Sequence, residues 1–203
     1  MEHIEILVEE PSMEAALRHL VPKIVGTVSF EIYSFQCKDD LLGKLSARLR
    51  GYSRWIPSTS RVAVLVDRDA AECESLKRHL EQIALDAGLA TRSSAAGGPY
   101  TVVNRVVIEE LEAWYFGDWA AVRASYPRVP AGIPSQKKYR DPDAISGGTW
   151  EAFERILQKA GYFPAGLRKI EAARTIAAHM VPERNTSRSF LALQKVLSEM
   201  RDG

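Results

Sequence analysis

The segment RVAVLVDRD, residues 61–69, constrains the fold of this chain more than any other stretch. Val62, Ala63, Val64, Leu65 and Val66 form an unbroken apolar run rich in β-branched residues. That is the pattern of a strand buried on both faces inside a parallel sheet. The run stops abruptly at Asp67-Arg68-Asp69. Side chains of an extended backbone alternate, so two carboxylates one residue apart point the same way. Open α/β sheets bind ligands outside the carboxyl ends of their strands. The segment therefore predicts an acidic site that needs partners from other strand ends. The first apolar stretch, His3 to Val8, supplies one, because it ends at Glu9-Glu10-Pro11.

The remaining text alternates between strand and helix signals. Ser12 predicts an N-cap for a helix reaching about Lys23, with Gly26 as its stop. Residues 27–35 alternate like a half-exposed strand, 39–50 form a short amphipathic helix, and 51–60 read as a loop. Residues 70–87 form a long amphipathic helix ended by Gly88. Residues 90–100 are small, polar and glycine-rich, which predicts a loop. A fourth strand over 101–108 runs into EELEAWYFGDW, helical from about Glu110, whose Trp114, Tyr115, Phe116 and Trp119 suit a core. This alternation predicts an α/β fold: a mostly parallel, Rossmann-like sheet with helices on both faces. Residues 126–148 carry too many prolines and glycines for regular structure. Residues 149–160, 167–180 and 187–200 each have one apolar helical face. The expected organisation is an α/β domain over 1–125, with a loop excursion and a helical C-terminal lobe over 126–203 packed on it.

Composition narrows the setting rather than the function. A formal net charge of +1 names no partner, although a local basic face would suffice for nucleic acid. The cysteines, Cys37 and Cys73, form no CxxC pair, so neither a disulfide framework nor a zinc site is suggested. His3, His19, His79 and His179 are scattered without metal-ligand spacing. The opening MEHIEILVEE lacks the basic start of a signal peptide, and no apolar run approaches the roughly 18 residues of a membrane span. A cytoplasmic protein without membrane contact is expected.

The chemistry lies in three acidic groups: Glu9 or Glu10 after the first strand, Asp67 and Asp69 after the third, and Glu109, Glu110 and Glu112 after the fourth. Each has a plainer explanation alone. Asp69 suits a helix cap, and acids in a first turn complement the helix macrodipole. Together they are harder to explain. Two unit charges ~4 Å apart repel by about 4 kcal/mol at an effective dielectric near 20. Several carboxylates converging on one sheet edge must take up protons or recruit a cation. Hard oxygen donors suit Mg²⁺ or Mn²⁺, which polarise phosphoryl oxygens and activate water.

ILVEEPSME and VAVLVDRDA resemble the signature of the Toprim domain, a glutamate closing the first strand followed by a DxD. That metal-binding fold occurs in topoisomerases, bacterial primases and OLD-family nucleases. VIEELEAWYFGD and KIEAARTIAAHMVPERNTSRSF extend the resemblance to the Toprim-like family catalogued as domain of unknown function 4276. Glu10 stands where many Toprim members have glycine. The resemblance implies a Toprim-like fold and a metal-dependent nuclease, with Glu9, Asp67 and Asp69 as metal-holding and catalytic residues. It further implies Glu110 and Glu112 as additional metal ligands. A lysine assists at the phosphate in such enzymes; Lys169, Lys137 and Lys138 are the candidates, with Lys169 placed first. Mg²⁺ or Mn²⁺ would be the cofactor, and DNA or RNA the substrate. Arg54, Arg68, Arg92, Arg105, Lys137, Lys138 and Arg140 could hold its backbone electrostatically. Family members are often encoded beside ABC-like or AAA-type ATPases, which implies an ATPase partner and a role in phage defence. Two alternatives differ in class. One is a non-catalytic subunit regulating such an ATPase. The other is a receiver-like domain with Asp67 as phospho-acceptor.

Overall fold

The structure is a computed structural model describing residues 1–67, 73–107 and 111–202; of Cys73, Val106 and Val107 it describes the backbone alone. The chain begins with β1 (His3–Val8), α1 (Pro11–Val25), β2 (Ser29–Ser34), α2 (Lys38–Trp55), β3 (Ser60–Asp67), α3 (Cys73–Asp86) and β4 (Val102–Val107). There follow α4 (Glu112–Gly117), α5 (Trp119–Ser125), α6 (Thr149–Lys159), α7 (Lys169–His179) and α8 (Arg188–Asp202), with single 3-10 turns at Lys137–Tyr139, Pro142–Ala144 and Pro182–Arg184. Among the described residues no strand follows β4. This is the expected α/β fold, a parallel sheet with helices on both faces and a helical C-terminal part.

The sheet has four strands in the order β2-β1-β3-β4, all parallel. Val8 pairs with Leu65, and Asp67 pairs with Val107. Parallel neighbours need crossovers, and α1, α2 and α3 supply them. Alternation divides the strand residues between two cores. Ile4, Ile6, Val8, Ala63, Leu65 and Val103 face the larger one, built with α1 and α4 to α8. Leu7, Val62, Val64, Val66 and Val102 face the smaller one, closed by leucines of α2 and α3. Fully burying a leucine stabilises by roughly 1.5–3 kcal/mol, so both faces contribute to holding the sheet. Trp114, Tyr115, Phe116 and Trp119 are buried, as their pattern predicts.

Three local expectations change. Ser12 is not the cap: α1 starts at Pro11, whose fixed φ suits a first helical position, and Glu10 takes the capping place. The Ser12 hydroxyl instead donates to the Glu10 carboxylate. The loop expected at 51–60 is helical through Trp55, because Tyr52 buries against the smaller core and offsets the helix-weakening Gly51. Pro57 and the residue before it then end the helix. The glycine-rich stretch after α3 is partly built: Thr91 and Ser94 exchange backbone and side-chain hydrogen bonds, and Arg92 pairs with Glu199 of α8 at 2.5 Å.

Candidate metal and phosphate site at the strand ends

The strand order reverses direction between β1 and β3. From β1 the chain moves outward to β2, then returns past β1 to β3 and β4. The crevice beyond the carboxyl ends of β1 and β3 is therefore the topological switch point, where sheets of this kind bind ligands. Glu9 and Asp67 stand on its two sides. Glu9 lies one residue past β1, and its Oε2 accepts a hydrogen bond from the Asp67 backbone N–H at 3.1 Å. Two half-buried acids 58 positions apart along the chain thus meet at one strand edge. By register, Asp67 continues the Ala63–Leu65 row, the side of the sheet that carries α1 and α4.

Glu112 opens α4 on that side and is 4% exposed. Next to it Tyr115 is fully enclosed. Burial pushes its phenol well above the usual range, and the charges of Glu112 and Glu10 push it further. At neutral pH it is an uncharged hydroxyl within electrostatic reach of both acids. Sequence pattern placed Tyr115 in the core and missed this second property, which depends on acids from two segments about 100 positions apart in the chain. Glu14 lies in the first turn of α1, and Arg18 donates to it at 2.9 Å.

The lysine candidates separate in space. α1 and α7 pack side by side in parallel. Their starts share a groove lined by Pro11, Glu14, Ile170 and Arg174, while Lys23 near the end of α1 reaches the carbonyls of Ala177 and Met180 at the end of α7. Ile170, next to Lys169 at the start of α7, thereby shares that groove with Pro11, two residues past Glu9. Its Nζ lies 5.0 Å from the centre of the Trp150 ring. Lys137 and Lys138 lie on a 3-10 turn lining a different cavity, and neither Glu9, Asp67 nor Glu112 lines it.

Asp69 and Glu110, with Arg68 and Glu109, lie outside the described residues. Among the described residues no group of three or more His, Cys, Asp or Glu stands together as a metal cluster. His3 is engaged elsewhere, with Glu5 at 3.1 Å and Ser29 at 2.8 Å. Three buried acids serve packing. Glu5 accepts from the Tyr52 hydroxyl at 2.8 Å. Asp118 accepts from Arg184 Nε at 2.6 Å and from the Val181 N–H at 2.9 Å. Asp143 accepts from the Ser187 hydroxyl at 2.7 Å and from the Arg188 N–H at 2.6 Å.

The sequence matches the family described as "Domain of unknown function (DUF4276)" over residues 8–201. The chain belongs to that family. The DUF4276 match spans both acidic strand ends and the C-terminal helices, so the candidate site and the helical part fall within one family unit. No curated protein matches the sequence. Among solved structures, the C-terminal region of the OLD protein of Xanthomonas campestris pv. campestris is similar at 15% identity and a TM-score of 0.48, covering 99% of this chain and 93% of that one. No helix among the described residues is long and apolar enough to cross a membrane.

Proposed function

We propose that this DUF4276 chain is a Toprim-like, metal-dependent nuclease that hydrolyses phosphodiester bonds in nucleic acid. One observation carries the reading: the Glu9 carboxylate meets the Asp67 backbone at the switch point between β1 and β3. The donors available there are hard carboxylate oxygens, which fit Mg²⁺ or Mn²⁺ and not a soft metal. Glu9, Asp67 and Asp69 would hold the ion, and Glu110 and Glu112 would complete the set. Such an ion polarises a phosphoryl oxygen and lowers the pKa of bound water. The chain's own groups do the positioning. The Asp67 amide fixes the Glu9 carboxylate, and Lys169 neutralises charge developing on the phosphate. The buried, neutral Tyr115 hydroxyl lies within electrostatic reach of Glu112 and Glu10 and adds no charge of its own there.

DNA and RNA panels incubated with Mg²⁺ or Mn²⁺ test the proposal. Asp67→Ala is expected to lower cleavage by about 100-fold or more, the size of effect typical when a group stabilising developing charge is removed. Equal cleavage by both proteins overturns it. Calorimetry with Mn²⁺ gives a second readout, with weaker binding expected in Glu9→Gln. The family resemblance extends the proposal to a neighbouring ABC/AAA-type ATPase partner and a phage-defence role. Absence of ion binding with retention of that ATPase in co-purification would favour the regulatory-subunit alternative.

A further inference from the structure

A cavity of about 440 Å³ lies between the 3-10 turn Lys137–Tyr139, the segment leading into α6, and α6 itself. Its rim carries four cations: Lys137, Lys138, Arg155 and Lys159. Among the described residues none of the four forms an ion pair with a carboxylate. The one carboxylate on the rim, Asp141, is held by Arg188 at 2.8 Å. The floor is aliphatic, made by Ala152, Ile156 and Ile145, all buried. Tyr139 does not offer its ring, because Phe116 stacks on it at 5.3 Å and Lys138 lies 4.5 Å from its centre.

Helical spacing gives α6 two functional sides. Ala152, Arg155, Ile156 and Lys159 recur at the three- and four-residue steps that share one face. Trp150, which meets Lys169, lies on the opposite face. The cationic cavity therefore lies on the other side of α6 from Lys169, and Glu9, Asp67 and Glu112 do not line it. Like charges around one depression repel, and with no ion pair to a described carboxylate they are poised for an anion. The size matches a pocket for one small organic molecule and is too small for a duplex.

We infer that this cavity binds an organic phosphate of mononucleotide size, its phosphate among Lys137, Lys138, Arg155 and Lys159 and its apolar part on Ile145 and Ile156. The phosphate has two possible sources, a free nucleotide or the 5′ end of a nucleic-acid strand. The inference does not rest on the metal-site proposal, and its test is run in EDTA.

The probes are adenosine 5′-monophosphate, inorganic phosphate, and one short single-stranded oligonucleotide with and without a 5′-phosphate, each titrated calorimetrically. Wild type is expected to bind adenosine 5′-monophosphate more tightly than inorganic phosphate. Preference for the phosphorylated over the hydroxyl-ended strand assigns the source to a strand end; equal strand binding assigns it to the free nucleotide. Both Arg155 and Lys159 are exposed, so Arg155→Glu/Lys159→Glu should fold; it is expected to weaken binding about 10-fold or more. Lys195→Glu, on α8, is the control and should bind as wild type. Absence of binding by wild type, or equal affinity in the Arg155/Lys159 variant, overturns the inference. Retained binding in Asp67→Ala separates this site from the strand-end acids.

Discussion

Asp118 shows how much one carboxylate can organise. Buried at the start of α5, it accepts from Arg184 through two guanidinium nitrogens, from the Val181 N–H and from the Ala121 N–H. Asp118→Ala would strand those donors. The expected loss is about 2–4 kcal/mol, read as a lower urea midpoint, discounted because Arg184 is half-exposed. His19 gives a pH prediction. Burial first, then the charges of Lys23 and Arg174, holds its imidazolium below the ordinary 6.5. The unfolded chain therefore binds more protons below that value, and stability falls as pH drops through it toward the lower folded value. His19→Gln should flatten that fall, seen by comparing urea midpoints at about pH 7.5 and about pH 5.5. Glu9 and Asp67 were legible because each ends an apolar run. Asp118 and Asp143 were not, since nothing in their neighbouring text marks a carboxylate whose partners lie 66 and 44 positions away.

At the junction of α4 and α5, Gly117 allows a close approach of the Asn185 side chain. A Cβ there would collide with Asn185 Oδ1 and lie 2.8 Å from the Ser187 backbone nitrogen. Helix propensity alone favours alanine over glycine by roughly 1 kcal/mol. Here the sign should reverse: Gly117→Ala is expected to cost about 1–3 kcal/mol through displacement of the 185–187 segment, measured as a lower melting temperature. Long periodic segments were readable as elements because apolar spacing reports directly on a buried face. The continuation of α2 from Gly51 to Trp55 was not. It depends on Tyr52 reaching Glu5 across the smaller core, a contact that no local pattern encodes.

Across the whole molecule, α1 links the α/β part to the C-terminal helices. Leu17, Leu20, Val21 and Ile24 share one core with Ile176, Ala177, Phe190 and Leu197. The sequence pattern changes at 125, and we propose that the helical part packs on the sheet domain without being dispensable to it. A fragment ending at residue 125 would expose that face of α1. It is expected to lack a cooperative unfolding transition by circular dichroism, whereas a soluble, sharply melting fragment would show that 1–125 folds alone. The parallel direction of the strands was legible from the alternation of elements, whereas their order in the sheet was not. The seating of α7 beside α1 was not, because it joins segments more than 150 positions apart. That seating has an electrical consequence. Two parallel helices direct the partial positive charge of their N-terminal turns at the same crevice. At the opposite pole the ammonium of Lys23, bonded to three carbonyls of α7 or its end, balances the accumulated negative charge. The acids of the crevice thus sit in a local field less hostile to anions than their number suggests.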